Sequence, residues 1–337
     1  MSLHEKDKNL TQMPTVIMDA IVRFLAPQDI INLSMTCTFM QEICNNPRFW
    51  RKLNLKVTTL LLDKYRWESI TKKFSEKGLI DFRLHYPRNE EGVKNLNFTE
   101  ANIWATKILT YLPVVIENLQ VPIFMFTNVL QLLPTFQTFS NLKVLQMGNH
   151  IQDFGEFKNW KRKNDSIKSM LTILFTKVQK LESVVIHDCH GFLEKPLSSL
   201  TENNRQLRFL DVSYCWSLRR SGLLKISHFV NLETLKLCCC GINDEDMQIV
   251  LSSNLDLKDL DVSWTFVTNS TLLNVPKKLP NLLNLDIIGC AGITYSGLRQ
   301  LYFDVRGIKN IYIRKAFNGN FYYHSHYKGV KLGRNIY

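Results

Sequence analysis

Four hexapeptides with the pattern L-x-x-L-x-L recur along the chain: LRFLDV at residues 207–212, LETLKL at 232–237, LKDLDV at 257–262 and LLNLDI at 282–287. Their starts lie about 25 residues apart. The alternation within each hexapeptide is typical of a β-strand with one buried face, so that Leu210 and Val212 point inward while Asp211 points outward. A strand that recurs at a fixed period predicts a stack of similar structural units.

A further clear copy precedes these four at residues 181–186. Earlier copies lie at 142–147, 116–121 and, with the poorest match, 93–98, and a weaker final copy lies at 308–313. Between copies the sequence indicates a turn, a capped helix and a return loop, as in the stretch from Cys215 through Leu218 and Leu223 to Ile226. One such unit cannot bury its own apolar side, but a stack of units can. We therefore expect the return segments to cover one side of a strand ladder.

Cysteine recurs at the ninth position of the repeats, at Cys189, Cys215, Cys240 and Cys290, with Thr265 in the equivalent place of another repeat. With this position included, the chain resembles the cysteine-containing leucine-rich repeat. The resemblance covers about 220 residues and is strongest from residue 181 onward. It implies an α/β fold, a horseshoe whose parallel strands line the concave face and whose helices lie outside.

A second pattern occupies residues 13–53, MPTVIMDAIVRFLAPQDIINLSMTCTFMQEICNNPRFWRKL. Pro14 stands where a helix can begin, and Pro27 ends that helix before Asp29 helps to start the next. The apolar residues of the first helix share one face: Ile17, Ile21, Phe24 and Leu25. Those of the following helix and turn are Ile30, Leu33, Cys37, Phe49, Trp50 and Leu53. A module of about forty residues has little core of its own, so we expect it to complete its burial against a partner.

The whole segment resembles the F-box. The matching residues are, in chain order, Met13-Pro14, Leu25, Pro27-Gln28-Asp29-Ile30, 33–37 and 46–53, while Val16, Phe39 and Met40 depart from the family pattern. The resemblance implies docking on a small acidic Skp adaptor. We expect its contact surface to be formed or directly supported by apolar anchors: Pro14, Ile17, Ile21, Leu25, Ile30, Leu33, Trp50 and Leu53.

The two patterns predict five consecutive parts: a disordered start at 1–12, the F-box at 13–57, a helical linker at 58–92, leucine-rich repeats at 93–316 and a basic aromatic tail at 317–337. The linker contains a predicted helix around 60–74. The long gap between the repeats at 142 and 181 predicts a protruding loop at about 151–175. The tail lacks the repeat pattern and either caps the last repeat, crosses the concave face or is disordered.

The chain is basic, with 42 lysines and arginines against 30 acidic residues and a net charge of +12. A basic surface can be solvated or can meet an acidic protein, which we favour, or it can bind nucleic acid or membrane lipid. The sequence shows no membrane-spanning segment and no signal peptide. Eight cysteines without a signal peptide indicate a reducing compartment, the cytoplasm or the nucleus.

No catalytic, cofactor or metal motif stands out. The sequence contains no P-loop, no glycine-rich dinucleotide fingerprint and no H-E-x-x-H. The run of Cys238, Cys239 and Cys240 lies at the end of one predicted strand and has no C-x-x-C companion, so it does not predict a metal site. We expect a non-catalytic protein without cofactor or metal.

An F-box followed by leucine-rich repeats is the arrangement of the substrate receptors of Skp–cullin–F-box ubiquitin ligases. The resemblance therefore implies a subunit that reaches a cullin–RING ligase through the adaptor and holds a protein substrate. The alternatives are a scaffold that does not promote degradation and a basic nucleic-acid-binding repeat protein. The predicted substrate residues on the concave face are Asp211, Tyr214, Asp259, Asp261, Trp264 and Asp286. An acidic patch beside Trp264 would accept a basic segment, although aspartate at this position is also common as a solvated polar residue.

Overall fold

The computed structural model describes residues 13–85, 97–122, 138–148, 160–187, 189, 194–253, 256–304, 310–313 and 330–332. Its first elements are α1 (Thr15–Val22), α2 (Pro27–Ser34), α3 (Thr38–Cys44) and a 3-10 turn at Pro47–Phe49. Pro27 lies in the first turn of α2, where its missing N–H leaves no hydrogen bond unmade. The side chain of Asn46 accepts a hydrogen bond from the Arg48 N–H at 3.3 Å and so caps the 3-10 turn. The predicted helical module is present.

The strands that the structure describes form one sheet in chain order: β1 (Lys52–Lys56), β2 (Asp81–His85), β3 (Asn118–Val121), β4 (Val144–Met147), β5 (Ser183–Ile186), β6 (Phe209–Asp211), β7 (Thr234–Lys236), β8 (Asp259–Asp261), β9 (Asn284–Asp286), β10 (Asn310–Ile313) and β11 (Val330–Leu332). All neighbours from β1 to β10 are parallel, and β11 is antiparallel to β10. This ladder confirms the predicted solenoid of parallel strands.

Parallel neighbours require crossover connections, which helices supply. They are α4 (Val57–Leu62), α5 (Lys64–Glu76), α6 (Phe98–Leu109), α7 (Trp160–Lys177), α8 (Glu194–Asn203), α9 (Arg220–Ile226), α10 (Asp244–Leu251), α11 (Asn269–Lys278) and α12 (Tyr295–Asp304). None of the helices described combines the length and hydropathy that a membrane crossing requires.

The core runs along one side of the ladder. In the regular repeats Leu210, Leu235, Leu260 and Leu285 lie side by side in register, and each is at most 2% exposed. Burying one such side chain contributes about 1.5–3 kcal/mol, so every repeat adds a similar increment to a continuous core. The outward-facing side chains of β1–β9 form the opposite surface, which we call the strand face.

The cysteines at the ninth repeat position are buried, as the repeat pattern predicts. Three thiols donate to the carbonyl of the last inward-facing residue of the repeat pattern in the preceding repeat: Cys215 to Ile186 at 3.4 Å, Cys240 to Val212 at 3.3 Å and Cys290 to Val262 at 3.1 Å. Thr265 instead donates to Val262 within its own repeat, at 2.6 Å. Burial raises the pKa of the Cys290 thiol to about 11, so the thiol stays neutral as a donor.

The ladder starts earlier than the sequence pattern indicates. β1 and β2 lie where the end of the F-box and the helical linker were predicted, and they pair in parallel. Their segments, WRKLNL at 50–55 and LIDFRL at 79–84, follow the repeat pattern with Trp50 and Phe82 in leucine positions. Residues 97–98 of the predicted copy at 93–98 instead start α6, which the Asn97 side chain caps, and 93–96 lie outside the described residues.

Two further segments differ from their expected form. The predicted helix around 60–74 is present but divided at Asp63, whose side chain caps α5. Helix α7 replaces the protruding loop from Trp160 onward and buries an apolar side formed by Ile167, Met170, Leu171, Leu174 and Phe175. The sequence at 158–168 contains four lysines and one arginine, and these charges hide the apolar periodicity of the helix. Residues 149–159 lie outside the described residues, and of the tail the structure describes only Val330–Leu332, the antiparallel strand β11.

Candidate functional site

Helix α1 carries apolar side chains on two faces. Met18 and Val22 face the core with exposures of 2% and 0%. Ile17, Ile21 and Phe24 are 49%, 40% and 91% exposed. The Phe24 N–H donates to the Ile21 carbonyl at 3.0 Å, which continues the helical turn and keeps the three side chains on one side. We call this surface of Ile17, Ile21 and Phe24 the α1 face.

The other predicted adaptor residues lie at graded depths: Pro14 is exposed, Leu25 and Leu33 are half-buried, and Ile30, Trp50 and Leu53 are buried. The buried residues can support a contact surface from within but cannot touch a partner. Phe24 was not among the predicted contacts, although its helical spacing places it on the same face as Ile17 and Ile21.

Trp50 fixes the N-terminal module to the solenoid. Its Nε1 donates to the Cys44 carbonyl at 2.6 Å, and its ring meets Phe74 of α5 edge-on with centroids 4.9 Å apart. Arg66 of α5 also donates to the Gln28 side chain of α2 at 3.1 Å. Because β1 begins two residues after Trp50, the α1 face and the strand face belong to one continuous structure.

A cleft of about 540 Å³ lies between α1 and α3, lined by Thr15, Val16, Asp19, Arg23, Phe39, Glu42, Ile43, Asn46 and Arg48. Asp19 forms ion pairs with Arg48 and, at 3.4 Å, with Arg23. These pairs tie α1 to the 3-10 turn and leave charges of both signs along the cleft. No group of three or more His, Cys, Asp or Glu side chains suited to a metal occurs here or elsewhere in the part of the chain that the structure describes.

The middle outward positions of neighbouring strands form one row on the strand face: Gln120, Gln146, Val185, Asp211, Lys236, Asp261 and Asp286. Asp261 lies directly opposite Asp286 in the register. Asp259 precedes Asp261 by two residues on the same side of β8. The structure therefore brings together Asp259, Asp261 and Asp286, which we call the acidic patch.

The aspartates of this row also hold the turns that follow their strands. One carboxylate oxygen of each accepts the backbone N–H two residues later: Asp211 from Ser213 at 3.0 Å, Asp261 from Ser263 at 2.9 Å and Asp286 from Ile288 at 3.0 Å. This is the Asx turn, in which the side chain replaces a backbone acceptor. The aspartates are thus structural parts of the repeat in addition to any contact with a substrate.

Asp211 differs from the acidic patch because it is turned toward an internal partner. It is 7% exposed, and its Oδ2 lies 3.0 Å from Nε2 of His187. The Tyr214 ring stands edge-on to the His187 ring, with centroids 6.2 Å apart. Two predicted substrate residues therefore gather around His187, which the sequence analysis missed. The sequence could have indicated His187, because it stands at the third outward-facing position of the repeat that begins at residue 181.

Burial and mutual repulsion decide the charge of these carboxyls. Burial raises the pKa of Asp286 to about 6, and the charge of Asp261 adds to this effect. Burial also raises the pKa of Asp261. For Asp211, burial opposes ionisation, but hydrogen bonds from His187 and Ser213 lower its pKa below the usual range. An approaching cation would therefore stabilise the charged forms of Asp261 and Asp286.

Tyr214 and Trp264 occupy the left-handed turn position of their repeats, with φ of 63° and 56°. Cys239 and Gly289 hold the equivalent place in the adjacent repeats, with φ of 55° and 74°. A Cβ on Gly289 would lie 2.4 Å from the Trp264 ring, so the indole packs directly over this glycine. Trp264 is half-buried, and its outer part lies beyond the carboxyl end of β8.

Residues 10–56 match the family described as F-box-like. Among solved structures, the chain is similar to that of the Rad7 and Elc1 complex in yeast, with 14% identity over 84% of this chain and 89% of that chain and a TM-score of 0.35. It is also similar to an internalin, InlF, from Listeria monocytogenes, with 16% identity over 86% of this chain and 70% of that chain and a TM-score of 0.41. It is similar, too, to the leucine-rich repeat-containing protein LegL7 from Legionella pneumophila, with 12% identity over 73% of this chain and 69% of that chain and a TM-score of 0.36.

The repeat architecture itself follows from the strand ladder, the alternation of its buried leucines and the cysteines of the ninth position. The N-terminal helices coincide with the family match at 10–56. The chain therefore carries an F-box-like domain at its N-terminus, followed by a solenoid of the leucine-rich-repeat type.

Proposed function

We propose that this protein is the substrate-recognition subunit of a Skp–cullin–F-box ubiquitin ligase. In this proposal the α1 face docks a Skp-type adaptor, and the strand face holds a protein substrate. The subunit itself is not catalytic and acts in the cytoplasm or the nucleus.

The observation that carries the proposal is the exposed α1 face within an F-box-like domain. Three large apolar side chains, Ile17, Ile21 and Phe24, are 40–91% exposed on one side of a short helix. Water disfavours such a surface, and apolar anchors of this size dominate the energetics of protein interfaces. An adaptor that covers the α1 face would complete the burial of the module.

The mechanism is proximity. A ligase that holds a substrate lysine near the ubiquitin-carrying enzyme raises the effective concentration of the reacting groups. The junction at Trp50 favours this role because it joins the docking surface and the substrate surface without a flexible linker. A rigid connection limits the volume that the bound substrate can explore.

The test is affinity for a recombinant Skp-type adaptor, measured by calorimetry. The Ile17→Ala/Ile21→Ala/Phe24→Ala variant should bind at least about 30-fold more weakly, because each anchor contributes to a shared apolar contact. The matched control is Leu62→Ala/Val230→Ala/Tyr295→Ala, which removes three side chains of 87%, 62% and 81% exposure elsewhere on the surface. Equal affinity of the two triple variants would contradict the proposal.

A reconstituted ubiquitylation assay separates this function from that of a non-degradative scaffold. A receptor should transfer ubiquitin to a protein captured on the strand face, and the transfer should require the α1 face. Adaptor binding without any ubiquitin transfer to captured protein would favour the scaffold instead.

A further inference from the structure

We propose that the strand face recognises an extended peptide segment with three chemical parts: an apolar side chain at its centre, acidic residues on one side and basic residues on the other. The inference rests on the proposed function, because it names the class of substrate that the strand face would take. It is carried by the order of side chains across the parallel ladder.

At the centre of the strand face, on β5, a small side chain lies between larger apolar neighbours, and we call this position the apolar dimple. In the first outward row, the small Ser183 lies between Val144 of β4 and Phe209 of β6. Val185 closes the dimple one outward position further along β5. All four side chains are half-buried, so each keeps part of its surface open to solvent. An apolar side chain of a peptide would bury additional area here.

The N-terminal end of the strand face is basic. Lys52 and Lys56 of β1 are exposed, and Arg83 lies in the middle row of β2. Asp81 pairs with Arg83 at 2.8 Å and lies 3.7 Å from Lys52. Asp81 therefore faces two cations, and Lys56 adds a third positive charge, so this end retains net positive charge that suits acidic residues of a peptide.

The opposite end carries the acidic patch on β8 and β9. Within the strand residues described from β6 to β9, Lys236 is the one basic side chain of the outward rows, and its Nζ lies over the Phe209 ring at 5.5 Å. Asp261 and Asp286 stand opposite each other without a cation between them. A lysine or arginine of a peptide would offset their repulsion and stabilise their charged forms.

The spacing of these three parts is symmetric about β5. Parallel neighbours lie about 4.8 Å apart, so β1–β2 and β8–β9 are each three to four strands, or about 14–19 Å, from the dimple. An extended chain covers about 3.3 Å per residue. The fitting segment thus carries its acidic and basic residues about four to six positions on either side of the apolar one.

Charge of both signs on one surface favours a peptide over a nucleic acid. A polyanion that followed the ladder from the basic end would meet the acidic patch after about seven strands. A peptide with segregated charges meets opposite charge at both ends.

The experiment measures fluorescence anisotropy of labelled peptides on the full chain. The probe EEESGSLSGSKKK has the inferred order, EKESGSLSGSKEK has the same composition with mixed charges, and EEESGSSSGSKKK lacks the apolar residue. We expect the first to bind at least tenfold more tightly than either of the others. Equal binding of the first two would overturn the inference, as would tighter, steeply salt-dependent binding of a 13-nucleotide single-stranded DNA.

Variants of the protein show which end of the strand face binds which charged end of the peptide. Asp261→Asn/Asp286→Asn should remove the preference for segregated charge, since asparagine keeps a carbonyl oxygen for the turn hydrogen bonds but loses the charge. Lys52→Gln/Lys56→Gln, at the basic end, should also remove the preference for the peptide with segregated charges. Glu202→Gln, an exposed change on α8, is the matched control and should alter nothing. An unchanged preference in both double variants would overturn the inference.

Adaptor affinity measured on the same preparations separates the two proposals. Retained adaptor binding without peptide preference overturns the peptide class alone. Peptide preference without adaptor binding supports the peptide class and contradicts the ligase function.

Discussion

The α1 face and the strand face are both surfaces that a partner can reach, but their side chains have different duties within the fold. Ile17, Ile21 and Phe24 point away from the core that Met18 and Val22 fill. The carboxylates of Asp261 and Asp286, by contrast, hold backbone N–H groups of their own repeats. A substitution on the α1 face can therefore report on binding alone, whereas one on the strand face changes the repeat as well, unless it preserves the turn.

The largest expected effect tests the junction at Trp50 between the N-terminal module and the solenoid. Trp50→Ala should lower the free energy of unfolding by about 3–5 kcal/mol, because it empties a buried aromatic site against Phe74 and removes the donor to Cys44. Chemical denaturation measures the change. Trp264→Ala is the comparison, and we expect a smaller loss because Trp264 is half-buried. Equal losses of unfolding free energy would contradict the expectation that the more deeply buried tryptophan contributes more to stability.

The next prediction concerns the turn beside the strand face. Gly289→Ala should destabilise the protein by about 1–3 kcal/mol more than Gly78→Ala. Both glycines have positive φ, but a Cβ at Gly78 would meet nothing within 4 Å, whereas at Gly289 it would overlap the Trp264 ring. Thermal unfolding measures the difference. Adding Trp264→Ala to Gly289→Ala should relieve the overlap, and an undiminished penalty would contradict this packing.

A pH titration sharpens the comparison at the acidic patch. The pKa of Asp286 is raised to about 6, above its value in an unfolded chain, so ionisation disfavours the folded state above pH 6. Asp286→Asn should therefore be more stable than the wild type at pH 7–8, by about 1 kcal/mol after solvent screening is allowed for. The difference should vanish as the pH falls toward 4. Denaturation at a series of pH values measures it, and a pH-independent difference would contradict the raised pKa.

The smallest expected effect is the stability change of the Ile17→Ala/Ile21→Ala/Phe24→Ala variant. Exposed side chains without a structural partner alter stability by at most about 0.5 kcal/mol each, and the sign varies. The melting temperature of the chain without adaptor should stay close to that of the wild type. A marked decrease in melting temperature would contradict the distinction between the two surfaces, because it would show that the α1 face stabilises the fold.

The regular repeats could be predicted from the sequence because the same alternation of apolar and polar residues recurs at a constant period. Leu210, Leu235, Leu260 and Leu285 occupy identical places in the pattern and identical places in the core. The first two strands escaped prediction because Trp50 and Phe82 replace leucine and because the spacing between strands is irregular there. Helix α7 escaped because its lysine-rich start outweighed the apolar spacing that begins at Ile167.

The surfaces were predictable in outline but not in detail. Register and alternation were enough to bring Asp259, Asp261 and Asp286 together. The Asx turns and the pair of His187 with Asp211 depend on side-chain geometry that periodicity does not report. One signal was available for the left-handed turns, since Gly289 stands in the same repeat position as Tyr214, Cys239 and Trp264.

The direct passage from Trp50 into β1 determines how the distance between the α1 face and the strand face can vary. Each unit of the ladder advances the strand face by one inter-strand spacing of about 4.8 Å. The separation between the α1 face and any chosen strand is therefore set in whole steps of the ladder. Inserting or deleting one complete repeat between β2 and β5 would move the acidic patch by one step relative to the α1 face, and it would change the distance between the basic end and β5 by the same step.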